Sequence, residues 1–236
     1  MIEDNLRNIL KELPSDVKLV AVSKFHPAES IEAAFREGQR VFAESRPQEL
    51  EKKAGMLGAP AYGIKGQAGE YDGLEWQFIG HLQTNKLKMV LPYVSLVQSV
   101  DSEHLLSAID DWARVNGRVF DVLLELHVAA EEQKQGFCEE EALDIMFRYF
   151  DARGTGRKLS NVRICGIMSM ATNTDDQSVI EADFARAQDF FLYVRDIFPE
   201  LDEFRELSIG MSGDWKTALE YGATMVRIGT AIFGER

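Results

Sequence analysis

Apolar residues fall along this chain in two alternating rhythms. Short runs rich in Val, Ile, Leu and Phe recur as KLVAVS (18–23), RVFA (40–43), WQFIG (76–80), VSLVQSV (94–100), VFDVLLELHV (119–128), VRICGIM (162–168), RELSIG (205–210) and TMVRIG (224–229). Runs of this length and β-branched content predict buried strands. Between them apolar positions recur three and four residues apart, which predicts helices over 28–38, 46–57, 84–91, 102–116, 139–152, 176–198 and 214–221. The helix at 102–116 has Asp101 or Ser102 as its cap and an apolar face at Leu105, Leu106, Ile109, Trp112 and Val115. One further amphipathic helix precedes the first strand, with Ile2, Leu6, Ile9, Leu10 and Leu13 at helical spacing.

Eight strands alternating with helices predict an α/β protein with a parallel sheet, and the count predicts a sheet closed on itself. The expectation is a single (β/α)8 TIM barrel domain over residues 1–236, with the N-terminal helix as an addition. A doubly wound open sheet alternates in the same way and is the competing architecture. Residues 58–74 and 151–160 are Gly-rich and polar and read as surface excursions.

Composition narrows the function classes. The formal net charge of −13 opposes nucleic-acid binding, because phosphates would be repelled from such a surface. No run approaches the roughly eighteen apolar residues that a membrane span needs. The acidic, amphipathic N-terminus lacks the basic start and apolar centre of a signal peptide. Cys138 and Cys165 have no metal-type spacing, which predicts reduced thiols and a cytoplasmic setting. One domain without an evident apolar surface helix predicts a monomer.

In a barrel of this kind the chemistry belongs just past the strand ends. Lys24 follows the first strand. An amine at an apolar barrel mouth is partly desolvated, which makes it a usable nucleophile towards carbonyls; the alternative is a lysine snorkelling to solvent. GMSGD (210–214) and RIGT (227–230) follow the last two strands. Gly-rich turns there expose backbone N–H groups suited to a phosphate, with Ser212 and Thr230 adding hydroxyls; otherwise Gly210, Gly213 and Gly229 only shape turns. Arg227 interrupts an apolar strand and needs a partner, which is either structural or a ligand atom. An amine, a phosphate nest and a fixed cation around one mouth suit an aldehyde-bearing phosphate such as pyridoxal 5′-phosphate (PLP). HLQTNK (81–86) reads as a packing loop and helix cap, with Lys86 as the candidate for a secondary cofactor site.

The blocks AVSKFHP, FAESRPQE, WQFIGHLQTNK, KQGF (134–137), GIMSMATN, LSIGMSGD and MVRIGTAIFGER come in an order that resembles the YggS/PROSC family of PLP homeostasis proteins. That family is similar to the barrel domain of alanine racemase without its second domain, and the resemblance covers residue 17 to the C-terminus. It implies that Lys24 is the Schiff-base lysine. It implies also that Ser212, Gly229 and Thr230 bind the cofactor phosphate, that Ser45 belongs to the cofactor site, and that Arg227 faces the pyridine nitrogen. An arginine there keeps the ring nitrogen unprotonated and makes the ring a poor electron sink. Three features depart from the family: Ala43 and Ser45 stand where Gly and Asn are usual, His127 stands where Asn is expected, and the 58–74 loop is longer.

Three functions are therefore set against one another. The resemblance implies a PLP carrier or regulator in vitamin B6 and amino-acid balance, with PLP-dependent apo-enzymes as recipients and no catalytic residue. The alternative is a PLP-dependent racemase, which needs acid/base groups on both faces of the substrate carbon. Beyond Lys24 only His26 and His81 offer themselves, and a loop role suits each better. A Schiff-base aldolase without PLP would need carboxylates near Lys24, with Glu44 and Glu125 the candidates.

Overall fold

A computed structural model describes residues 1–57, 71–130, 135–153 and 155–235. The strands are β1 (Lys18–Val22), β2 (Val41–Glu44), β3 (Glu75–Phe78), β4 (Val94–Val100), β5 (Phe120–Glu125), β6 (Val162–Met168), β7 (Glu206–Ser208) and β8 (Met225–Ile228). They form one closed barrel in sequence order, every neighbouring pair parallel. The ring closes where Leu19 stands beside Val226 and Val20 beside Arg227. The open-sheet alternative is thereby excluded.

Parallel neighbours require a crossover after each strand, and helices supply it. These are α2 (Ala28–Arg36), α3 (Pro47–Met56), α4 (Leu87–Val90) after a 3-10 turn at Thr84–Lys86, α5 (Glu103–Val115), α6 (Glu139–Ala152), α7 (Gln177–Ile197) and α8 (Trp215–Glu220), while the short α9 (Thr230–Phe233) follows β8. The extra helix α1 (Ile2–Glu12) precedes the barrel and buries Leu6 and Ile9. Ser102 is the cap of α5, its hydroxyl accepting the Leu105 N–H at 3.3 Å. The apolar face read for this helix holds at Leu105, Leu106 and Ile109 but fails at Val115, which is 75% exposed in the last turn beyond the reach of the sheet. Most of the predicted excursion at 58–74 lies outside the described residues.

Two apolar layers follow from the strand period of two. One lies inside the barrel and comprises Val20, Val22, Ala43, Leu96, Leu123, Cys165, Met168 and Met225. The other, much larger, fills the space between sheet and helices. Cys138 and Cys165 are both free thiols. Among the described residues no helix is long and apolar enough to cross a membrane. Because all strands run the same way, their C-terminal ends share one mouth.

Candidate functional site

That mouth holds a cavity of about 330 Å³. Lys24, Ser45, Ser212, Arg227, Gly229 and Thr230 all line it, so the fold brings together the six residues read as the main cofactor site. They come from the ends of β1, β2, β7 and β8, which are neighbours around the closed ring. His26, Gly213 and the apolar side chains of Val22, Ile79, Met168, Met170 and Met211 complete the wall.

Lys24 stands just past the first strand: β1 ends at Val22, and the lysine lies in the turn that follows. Phe25, next in the chain, has φ +67. A bulky residue in the left-handed region costs on the order of 1–3 kcal/mol and persists only where its surroundings over-determine it. His26, read above as a loop histidine, lines the cavity and also packs its ring on Phe233 at 5.2 Å between centroids.

The glycine turns after β7 and β8 are built from backbone geometry. Gly210 has φ +91, and a Cβ there would meet the Cβ of Ala218 at 2.6 Å. Glycine alone lets the chain turn so closely against α8. A Cβ on Gly229 would stand 3.1 Å from the Val22 carbonyl, so this turn also lies tight on β1. The Ser212 hydroxyl accepts the N–H groups of Gly229 at 3.1 Å and Ala231 at 3.4 Å, tying the two turns together.

Arg227 is buried, and its partners are neutral. Nη1 donates to the Ser208 carbonyl and hydroxyl, both at 2.7 Å, and Nη2 donates to the Ser169 carbonyl at 2.9 Å. Burial pulls the guanidinium down to about 10, against the opposing pull of Glu125 and Asp214, so it remains charged at neutral pH. Beneath it the Ser208 hydroxyl donates to Gln98 at 2.7 Å, Gln98 to Gln77 at 2.6 Å, and Gln77 to Glu75 at 3.2 Å. This column fixes the guanidinium from below.

No aspartate or glutamate lines the cavity among the described residues. The carboxylates expected for an aldolase lie elsewhere. Glu44 faces outward into the layer between β2 and α3, where its Oε1 accepts from Lys53 at 2.6 Å and from the Ser23 hydroxyl at 2.7 Å. Its Oε2 has no hydrogen-bond partner among the described residues, and burial pushes the carboxyl up. Glu125 is buried beside the mouth without lining this cavity; burial and then Asp101 push its carboxyl up to about 7. His81 and Lys86 do not line the cavity either. His81 Nδ1 pairs with Asp101 at 2.8 Å, and Lys86 ends the 3-10 turn. The His127 ring is likewise tied to a local carbonyl, that of Ala129, at 3.0 Å.

Lys53 went unnoticed in the sequence. It is 5% exposed and donates to the Ser23 carbonyl at 2.8 Å, Glu44 at 2.6 Å and Glu49 at 2.7 Å. A signal was present: α3 buries Leu50, Lys53 and Ala54, followed by Leu57, the spacing of an apolar stripe with a lysine in one of its positions.

Comparison with known proteins identifies the relationship. The model of the alanine racemase N-terminal domain family matches residues 1–236. A pyridoxal phosphate homeostasis protein of Aquifex aeolicus is 36% identical over 93% of this chain and 87% of its own length. Its counterpart in Pasteurella multocida is 31% identical over 100% of this chain and 94% of its own. The chain belongs to the alanine racemase N-terminal domain family, among its pyridoxal phosphate homeostasis proteins. PipY of Synechococcus elongatus, a solved relative with 31% identity, superposes with a TM-score of 0.87 without PLP and 0.83 with PLP bound. Each comparison covers 99% of this chain and 100% of PipY. Alanine racemase of Clostridium difficile, at 16% identity and TM-score 0.72, shares the fold, and the chain spans 56% of its length. The relatives carry the name of homeostasis proteins, while the racemase likeness is one of architecture.

Proposed function

We propose that this protein binds pyridoxal 5′-phosphate through Lys24 and serves PLP homeostasis rather than turnover of a substrate. The observation that carries the reading is the make-up of the cavity. In a chain of net charge −13, its wall offers a lysine amine, a charged arginine, three hydroxyls and a tight glycine turn, and no carboxylate among the described residues. Such a wall attracts an anion and presents a nucleophile to it. Its volume lies in the range of small-molecule sites, and its apolar side suits an aromatic ring.

The roles divide by position. The Lys24 amine condenses with the cofactor's aldehyde carbon, releasing one water. Ser212, Gly229 and Thr230 hold the phosphate, Ser45 adds a hydroxyl at the rim, and Arg227 presents its guanidinium to the ring nitrogen. When bound, the cofactor supplies an aldehyde and an electron-accepting ring. Arg227 limits the second property, since its charge at neutral pH disfavours a proton on the ring nitrogen.

Racemisation is the weaker reading. It needs a proton carrier on each face of the substrate carbon. Lys24 and His26 are the only lining side chains suited to carry a proton at neutral pH among the described residues, and His26 is packed on Phe233. The carrier reading extends to a cytoplasmic monomer that hands PLP to apo-enzymes.

An absorbance spectrum before and after borohydride reduction, followed by peptide mass mapping, tests the assignment. Reduction should fix cofactor mass on Lys24, and Lys24→Ala should carry none. An adduct on another lysine, or a protein that takes up no added PLP, would sink it.

A further inference from the structure

The backbone on either side of Lys24 is bonded to side chains of α3. The orientation of any side chain is set by the two peptide planes that meet at its Cα. At Lys24 one plane carries the Ser23 carbonyl and the other the Phe25 N–H. Lys53 Nζ donates to the first at 2.8 Å. Glu49 Oε1 accepts the second at 2.6 Å and is itself held by Lys53 at 2.7 Å. The third ammonium donor goes to Glu44 at 2.6 Å, so all three N–H groups of Lys53 are used. Glu44 in turn accepts the Ser23 hydroxyl at 2.7 Å.

From this geometry we infer that Lys53 and Glu49 are positioning residues: they clamp both peptide groups flanking Lys24 and so aim its amine into the cavity. Phe25, with φ +67, stands at the third position of a turn closed by the His26 N–H, which donates to the same Ser23 carbonyl at 3.0 Å. Lys53 and Glu49 bind this turn from below, at the Ser23 carbonyl and the Phe25 N–H.

Position distinguishes this role from ordinary packing. Lys53 and Glu49 do not line the cavity, so they reach a ligand only through the Lys24 turn. Their loss should weaken the step that needs the amine and spare the contacts that do not. The inference rests on the PLP reading, and two ligands separate the effects. PLP uses the amine, whereas pyridoxine 5′-phosphate has an alcohol in place of the aldehyde and uses only the ring and phosphate contacts.

The test titrates both ligands into wild type, Lys53→Met and Glu49→Ala, with thermal melts of the ligand-free proteins as the folding control. For folded Lys53→Met, PLP should bind about tenfold more weakly, equivalent to about 1.4 kcal/mol, with pyridoxine 5′-phosphate unchanged. Glu49→Ala, which removes the Phe25 acceptor and one partner of Lys53 but keeps the Lys53 bond to the Ser23 carbonyl, should show the same pattern more weakly. If Lys53→Met does not fold, Glu49→Ala carries the test alone. Unchanged PLP affinity, or equal loss of both ligands, overturns the clamp. Hydrogen exchange at the Phe25 amide reads it without cofactor: slow exchange in wild type should become fast in Glu49→Ala, and fast exchange in wild type overturns it. A wild type that binds no PLP while its Phe25 amide is protected would refute the function proposed above and leave the clamp standing.

Discussion

The two ends of the barrel are both polar, and they use polarity in opposite ways. At the N-terminal end Lys18, Glu75, Asp121, Arg163 and Glu206 surround a space of about 250 Å³ in which cations face carboxylates. Arg163 donates through Nε and Nη2 to both oxygens of Asp121 at 2.6 Å, and Lys18 reaches Glu206 at 3.1 Å. At the C-terminal end a space of similar size holds Lys24 and Arg227 with no acid in its wall among the described residues. Paired charges largely cancel one another's field, and exposed pairs of this sort add little stability. Cations set in an apolar, acid-free wall keep their attraction for an anion even in an acidic protein. The column from Arg227 through Ser208, Gln98 and Gln77 to Glu75 joins the two ends, so the guanidinium of the mouth stands on the polar floor of the base.

Substitutions at the two ends should therefore have unequal effects on ligand binding. The largest belongs to Lys24→Ala, which should abolish covalent PLP altogether, as read by mass after borohydride. Arg227→Met comes next. It removes the Arg227 donor from the Ser169 carbonyl and leaves the Ser208 carbonyl with the Ser169 N–H, at a cost of about 1–3 kcal/mol in urea denaturation. The same variant should shift the absorbance of bound PLP, because the charge at the ring nitrogen has gone. An unchanged spectrum would remove Arg227 from the ring's edge and leave it a structural cation.

A pH effect separates the mouth from the base at a smaller scale. Burial raises the Glu125 carboxyl from its ordinary 4.5 to about 7, so the folded protein keeps a proton that the unfolded chain has released. The stability tied to that proton is complete below about 4.5 and is lost as pH rises through about 7. Glu125→Gln keeps the neutral form at every pH. Across this window wild type should lose stability relative to the variant, and parallel curves in pH-dependent melts would contradict the assignment. The smallest effect is expected at the base. Arg163→Met should cost no more than about 1 kcal/mol and leave PLP affinity untouched, since its ion pair is half exposed. A marked fall in affinity would show that the base does more than close the barrel.

Most of the mouth was legible in the sequence because its parts are local. Gly-rich turns after the last two strands, a lysine after the first and an arginine within an apolar strand are each visible within a few residues. Lys53 was not, because a buried lysine on a helix reads as a surface lysine until its partners are known. Those partners, Ser23, Glu44 and Glu49, come from three separate elements. The placement of Glu44 and Glu125, the carboxylates the aldolase alternative would have needed, was not legible for a related reason. Both end a strand, but the two-residue period points Glu44 outward to α3, and which face is inside depends on register.

The sequence by itself determined the alternation of strands and helices, the helix boundaries to within a residue or two, and the chemical types gathered after the strand ends. Those features follow from propensity, periodicity and turn chemistry, which act over short stretches of chain. Only the tertiary structure decided that the sheet closes between β1 and β8, and closure is what sets Lys24 beside the turns after β7 and β8. It also decided which charges are paired, because hydrogen bonds and burial join residues far apart in the chain. Lys24 and Arg227 thereby share one cavity that no acid lines among the described residues, while Lys53 is enclosed among carboxylates beneath it.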